Sequence, residues 1–284
     1  MVDKEEKERR KLIDRKFGAR AELAAVLASV YPQSAEREFK RYLKKYSKEL
    51  VAIIDRAEHN IASGKPKKAV LRRVKNEIGK ISDKYKPVRE IGKIATMVEG
   101  IEEAQFRKSF KKTIGIDMPE FDKDTFADER GDWLVGTLTT IGLYLLSINN
   151  KIDSASGSSK EEFAKAMSKI KKESAEIGDI ARNRVGDLMA GINKKMYNMF
   201  GIKRYVWRTR RDRKVRECHK SFDGHIFSTD NPPEIWYETK HGRVYTGRHC
   251  NPGEDYNCRC RAIPLFTKDA VWTILTREKW KKEL

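Results

Sequence analysis

The sequence predicts an α+β protein with a mostly helical N-terminal body, a long connecting helix and a small mixed α+β C-terminal module. Three observations carry that prediction. Apolar residues recur every three to four positions from Leu12 to about residue 200. "DSASGSSKEEF", from Asp153 to Phe163, breaks the pattern with a flexible Ser/Gly stretch. After Gly201 short runs rich in aromatic and β-branched residues alternate with the turns Asp223-Gly224, Asn231-Pro232-Pro233 and Asn251-Pro252-Gly253. The expected divisions are therefore 1–152 for the body, 153–200 for the linker and long helix, and 201–284 for a basic α+β module.

Taken in order, Leu12, Leu23, Val26, Leu27 and Val30 predict a first amphipathic segment that "YPQS" ends. Phe39, Leu43, Tyr46, Leu50 and Ile54 predict a second helix running to "SGKP". Val70, Val74, Ile78, Ile81 and Tyr85 make a third, which Pro87 interrupts before Ile91, Ile94, Val98 and Ile101 resume the period. "IGIDMPEFDKDTFADERGD" is irregular and acidic, and its Asp residues are placed to cap the next helix. That helix holds "WLVGTLTTIGLYLLSI", sixteen residues with Leu134, Leu138, Ile141 and Leu145 at helical spacing. It is short for a bilayer and diluted by threonine and glycine, so it is expected to be a buried central helix. Ser159 and Glu162 have the spacing of a capping box, which announces a helix running from Phe163 to Met199 with a kink near Gly178 or Gly186. "RYVWRT", "DGHIFS", "GRVYTG" and "CRCRAIPLF" read as strands, and "DAVWTILTREKWKKEL" as a closing helix.

Hydrophobic residues make up 39% and charged residues 36% of the 284, with a net charge of +19. Residues 1–200 hold 42 basic and 31 acidic side chains, leaving 19 and 11 for the rest, so the C-terminal part is the more basic per residue. Such a balance suits a protein working near polyanions, DNA first among them. The N-terminus "MVDKEEKERRKLIDRK" has no apolar core of a signal peptide, so folding in a cytoplasm with reduced thiols is expected. No membrane partner and no small-molecule substrate is anticipated.

All four cysteines and four of the five histidines fall between Cys218 and Cys260. The candidate metal ligands are His219, Cys258, Cys260, Cys250, His249 and Cys218; a closed structural Zn2+ site needs four, and the expected set is His219, Cys258 and Cys260 with Cys250 or His249 as the fourth. The spacing is not that of paired Cys-x-x-Cys knuckles. Cys258 and Cys260 are one residue apart and would point to opposite faces of an extended strand. A hydrogen-bonded core that ties turns together is the competing account. No known catalytic spacing is present: His-x-Glu with Pro-Cys-x-x-Cys and His-Glu-x-x-His are both missing. A nucleophilic Cys258–His219 pair, or a nuclease built on Asp223, His225 and His249, has no spacing to select it, so no catalytic residue is assigned. Arg208, Arg210, Arg211 and Arg213 surround Asp212 and form a basic edge suited to DNA phosphates or an acidic protein surface. Trp236, Tyr237 and Tyr245 could stack on bases or pack over a small sheet.

The order of landmarks from Gly201 to Pro264 resembles the Mu-F-like phage head morphogenesis family, the minor capsid proteins of tailed phages. The residues are Tyr205 and Trp207, then Asp212, Val215, Arg216 and His219, then Phe222, Asp223 and Gly224, and last Pro252, Gly253, Cys258, Arg259, Cys260 and Pro264. Ala181 and Arg182 match the preceding helix, and the likeness covers about a third of the chain. It implies a non-enzymatic virion protein inside the head near the portal, with the portal protein, genomic double-stranded DNA and the major capsid or scaffold protein as partners. Its expected roles are head assembly, DNA packaging or DNA delivery. Some relatives carry a toxin domain after the motif, which the twenty residues beyond Pro264 leave no room for. The alternative is a zinc-stabilised nucleic-acid-binding protein or nuclease unconnected to virions.

Overall fold

A computed structural model describes residues 4–26 and 30–276. In chain order the elements are α1 (Lys4–Phe17), β1 (Glu22–Ala24), α2 (Gln33–Ala62), α3 (Lys67–Gly79), α4 (Ile81–Tyr85), α5 (Pro87–Ile114), α6 (Ala127–Ser154), α7 (Lys160–Ala175) and α8 (Gly178–Phe200). Then follow β2 (Arg204–Arg208), α9 (Glu217–Phe222), β3 (Ile226–Ser228), β4 (Glu234–Thr239), β5 (Gly242–His249), β6 (Arg261–Thr267) and α10 (Lys268–Thr276). The α+β class is as expected, with the strands concentrated in the C-terminal part. The chain divides into two compact units that interleave in sequence. One comprises Met1–Pro32, Met97–Glu129 and Val185–Leu284, the other Gln33–Thr96 and Arg130–Arg184.

The second unit is helical. The 3.6-residue period of α2 puts Phe39, Tyr42, Leu43, Tyr46, Leu50 and Ile54 on one buried face. The Phe39 ring meets Trp133 of α6 edge-on at 6.0 Å. Arg184 locks the same side of α6, donating from Nε to Thr137 Oγ1 at 2.9 Å and from its terminal nitrogen to the Trp133 carbonyl at 3.0 Å. The capping box forms as its spacing predicts: Ser159 accepts from the Glu162 amide, and the Glu162 carboxylate accepts from the Ser159 amide.

Three expectations need correction. The first amphipathic segment is not one helix: α1 stops at Phe17, Gly18 takes a left-handed φ of 54°, and Glu22–Ala24 becomes a strand. Leu27, also assigned to that segment, lies outside the described residues. The long helix is two helices, α7 and α8, broken at Glu176–Ile177 just before Gly178. The α6 helix is buried on one stripe only: Trp133, Thr137, Ile141, Leu145, Ile148 and Ile152 face inward. Val135 and Leu143 stay 65% and 61% exposed, so its unbroken apolar run does not mean burial on all sides. By length and composition alone α6 could cross a bilayer.

The first unit is built on a four-stranded antiparallel sheet of order β1-β6-β2-β3. The central strand β6 pairs Leu265 with Ala24 on one side and Pro264 with Tyr205 on the other. Phe106 and Phe110 of α5, Phe200 of α8 and Phe266 of β6 cluster with ring centroids 5.2 to 5.9 Å apart. Beside them Glu102 and Arg261, both nearly sealed from solvent, form an ion pair at 2.5 Å, and Asn193 donates to the same carboxylate oxygen at 3.0 Å. A separate hairpin, β4–β5, stands on α9.

Candidate metal centre

The centre is assembled from one short helix and one irregular loop of the first unit. Alternation along β2 turns Tyr205 and Trp207 inward and leaves Arg204 and Arg208 toward solvent. The Trp207 ring meets His219 at 5.4 Å, Phe222 at 5.1 Å and Phe227 at 6.0 Å, forming the floor under α9. Asp223 and Gly224 return the chain to that floor. Asp223 Oδ1 accepts from the Thr209 amide at 2.8 Å, and the Gly224 amide, at a left-handed φ of 86°, donates to the Trp207 carbonyl at 2.8 Å.

The loop before β6 brings in the thiols. Pro252 and Gly253 pack under α8, where a Cβ on Gly186 would lie 2.6 Å from the Gly253 carbonyl oxygen. Two glycines are therefore required for this backbone-to-backbone approach. Glu254 closes the loop by accepting from the Asn251 amide at 2.6 Å, and the Cys258 amide donates to the Asp255 carbonyl at 2.9 Å. Asn257 takes a left-handed φ of 54°. Cys258 to Cys260 thus precede β6 instead of lying in it, so the strand alternation expected to splay the two sulfurs does not apply. Both converge on the same imidazole.

His219 Nδ1 lies 3.7 Å from Cys258 Sγ and 3.6 Å from Cys260 Sγ, and all three residues are buried. Around tetrahedral zinc, bond lengths of about 2.3 Å to sulfur and about 2.0 Å to nitrogen put such atoms about 3.6 Å apart. The observed spacing fits, so these three side chains could hold a metal ion. On its other edge His219 Nε2 sits 3.1 Å from Asp255 Oδ2. The approach is oblique, a contact between charges more than an aligned hydrogen bond. It is the carboxylate–histidine arrangement that fixes a ligating imidazole with Nδ1 toward the metal. Asp255 is held in turn by Arg216 and Arg248.

The electrostatics follow from this geometry. Burial works against charge on His219, yet Asp255 and the Cys258 sulfur outweigh it and raise its pKa to about 9. Burial likewise opposes ionisation of Asp255, but His219 and Arg216 lower its pKa to about 2. A hydrogen bond from Cys260 holds Cys258 well below the usual thiol range against the effect of burial, and Cys260 is raised in consequence. The Cys260 amide adds a further contact to Cys258 Sγ at 3.4 Å. A thiolate beside an imidazolium, with a second thiol at hand, is the state a divalent metal would displace protons from.

The other sequence candidates lie elsewhere. Cys218 Sγ accepts from the Trp236 amide at 3.4 Å, Cys250 packs by Arg248, and exposed His249 contacts the Pro232 carbonyl through Nδ1 at 2.9 Å. None of them joins the group of three. Asp223, His225 and His249 form no ligand cluster among the described residues. On the basic edge, Arg211 and Arg208 reach Asp223 at 3.0 and 3.6 Å, while Arg210 and Arg259 reach Asp212 at 3.4 and 3.0 Å. Arg213 is exposed. Asp212 also caps its own turn, accepting from the Lys214 amide at 3.0 Å, and Val215 closes that turn. Arg216 bridges the start of α9 to the Asp255 loop, Arg259 is part-buried against Asp212, and Pro264 lies opposite Tyr205. Trp236 and Arg243 stack with 4.1 Å between guanidinium and ring centroid, while Tyr237 and Tyr245 are exposed. Sequence reasoning missed Asp255, because nothing in "GEDYN" separates it from Glu254; its distinguishing feature is the fold of the loop.

Comparison with known proteins agrees with this layout. The sequence model of a family described as Phage Mu protein F like protein matches residues 149–263. An uncharacterized protein of Haemophilus influenzae is 38% identical over 87 residues, a stretch that is 31% of this chain and 17% of the relative's length. No solved structure matches. The matched segment spans α8, β2, α9 and the thiol loop, so residues 149–263 of this chain are similar to the Phage Mu protein F like family.

Proposed function

We propose that the chain is a minor head protein of a tailed phage. In this reading it works inside the head at the portal vertex and serves head assembly, DNA packaging or DNA delivery. The observation that carries it is the family match over residues 149–263, a segment that holds the ordered landmarks from Tyr205 to Cys260. The basic edge of Arg208, Arg210, Arg211 and Arg213 supports contact with an acidic portal surface or with packaged DNA. No catalytic role is assigned: His219, Cys258 and Cys260 are buried, with the Trp207 ring packed against His219. We assign the group instead to zinc held by His219, Cys258 and Cys260, one protein ligand short of the four of a closed structural site, which would clasp α9 to the loop before β6. Mass spectrometry of purified virions, with affinity capture on the portal protein, tests the head role. Low-copy recovery in virions and portal binding that Arg210→Glu with Arg211→Glu weakens are expected. Absence from virions that contain their portal would overturn the reading.

A further inference from the structure

The second unit carries a charged surface that the family segment does not explain. Residues 65–76, "KPKKAVLRRVKN", hold six basic side chains and no acidic one. Three of the six have a local role. Lys67 covers the Phe163 ring at 4.5 Å and donates to the Ser158 carbonyl at 3.0 Å, Lys75 pairs with Asp153 at 2.6 Å, and Lys65 donates to Asn60 at 2.6 Å. Lys68, Arg72 and Arg73 are exposed, and no acidic side chain pairs with them among the described residues. Lys68 and Arg72 are one helical turn apart on α3, where like charges repel each other.

Local electrostatics intensify this arrangement. The first turn of α3 holds lysines and no acidic residue, although the positive end of a helix favours acids. Pro66 stands at the N-cap and its side chain offers no acceptor, so nothing there offsets the positive field. The nearby acids are already paired: Glu77 with Arg56, and Asp55 and Glu58 with Lys171. In shape α3 is a ridge. Grooves of about 680 and 450 Å3 flank it, and Pro66, Ala69 and Arg72 line both. Arg72 therefore stands on the crest, with Lys68 and Arg73 on its flanks.

An exposed ridge of unpaired positive charge, with Lys68 and Arg72 about 6 Å apart along the helix axis, complements a polyanion. Duplex DNA presents one charge per about 1.7 Å of axis and offers that complement without any need for base contacts. We infer that α3 is a sequence-independent docking surface for the phosphate backbone of double-stranded DNA, with Lys68, Arg72 and Arg73 as its phosphate contacts. This surface is separate from the arginine edge and does not depend on the head role; a chain with no place in a virion would be tested by the same experiment.

The test compares the full chain with the triple variant Lys68→Gln, Arg72→Gln, Arg73→Gln, using fluorescence anisotropy of a labelled duplex from about 50 to about 200 mM salt. Each lost phosphate contact lowers the slope of log K against log salt by about 0.9, so the triple variant is expected to lose about 2.7 in slope and on the order of 100-fold or more in affinity near 0.1 M salt. Its melting temperature should stay the same or rise, because repulsion is relieved. A parallel variant, Arg210→Gln with Arg211→Gln and Arg213→Gln, keeps α3 intact and should retain the contribution of the three α3 residues. An unchanged slope in the α3 variant, or no duplex binding by the unaltered chain at low salt, overturns the inference. So does loss of binding to polyglutamate with DNA affinity unchanged, which would make the partner an acidic protein.

Discussion

Gly186→Ala should separate the packing of the thiol loop from ordinary helix propensity. In most helices this change stabilises by about 1 kcal/mol, because alanine restricts the unfolded chain and suits the helix. At Gly186, however, the added carbon would lie 2.6 Å from the Gly253 carbonyl oxygen and 3.6 Å from that of Cys258. Both neighbours are backbone, so neither can swing aside as a side chain would. Overpacking of this kind costs about 1 to 3 kcal/mol, and the rigidity of the neighbours puts it near the upper end. Subtracting the propensity gain leaves a net loss of about 2 kcal/mol. At Gly191, in the same helix, an added Cβ would meet nothing within 4 Å, so Gly191→Ala should instead gain up to about 1 kcal/mol. Denaturant unfolding of the two variants against the parent should therefore show shifts of opposite sign, about 3 kcal/mol apart. Gly186→Ala should also weaken metal binding, because the displaced loop carries Asp255 and Cys258. Equal stabilisation by both alanines would refute the close approach of α8 to the loop.

Other outcomes follow from the same contacts. Asp255→Asn removes the charge that orients His219 and should lower zinc affinity about 10- to 100-fold, read by competition with a chromogenic chelator, while Arg216 and Arg248 remain solvent-accessible and limit the effect on folding. Arg261→Ala leaves Glu102, 1% exposed, as a buried charge without its partner and should cost about 3 to 5 kcal/mol in denaturant unfolding. Replacing both members of the pair by methionine should recover most of that loss, which would distinguish desolvation from lost packing. Ser159→Ala removes one half of the capping box and should cost about 1 kcal/mol, confined in hydrogen exchange to the start of α7.

Much of the architecture is legible in the sequence because its signals are local. The α2 helix declares itself by period, α7 by its capping box, and β2 by the inward pair Tyr205 and Trp207. What the sequence hides is set by long-range pairing. Glu22–Ala24 is a strand because β6, more than 240 residues later, offers it an edge, and no local propensity announces that. The break between α7 and α8 falls at Glu176–Ile177, beside Gly178 where a kink is expected, but the apolar rhythm continues across the turn and conceals that there are two helices. At the candidate metal centre, His219, Cys258 and Cys260 could be named from residue type, but not their meeting. Strand geometry argued against it, and the left-handed Asn257 together with the Gly186–Gly253 contact makes it possible. Cys250 is a candidate fourth ligand in the sequence and Cys218 a further candidate, and their burial apart from the group is decided by α9 and the β4–β5 hairpin.

The central claim is that the Cys–His group is a metal clasp within a head-protein module. The measurement closest to it is the zinc content of the full chain purified without chelator, with His219→Ala as the control. The account predicts about one zinc per chain, lost in the variant together with thermal stability. Less than about a tenth of an equivalent in the unaltered chain, or equal zinc in the His219→Ala variant, would contradict it.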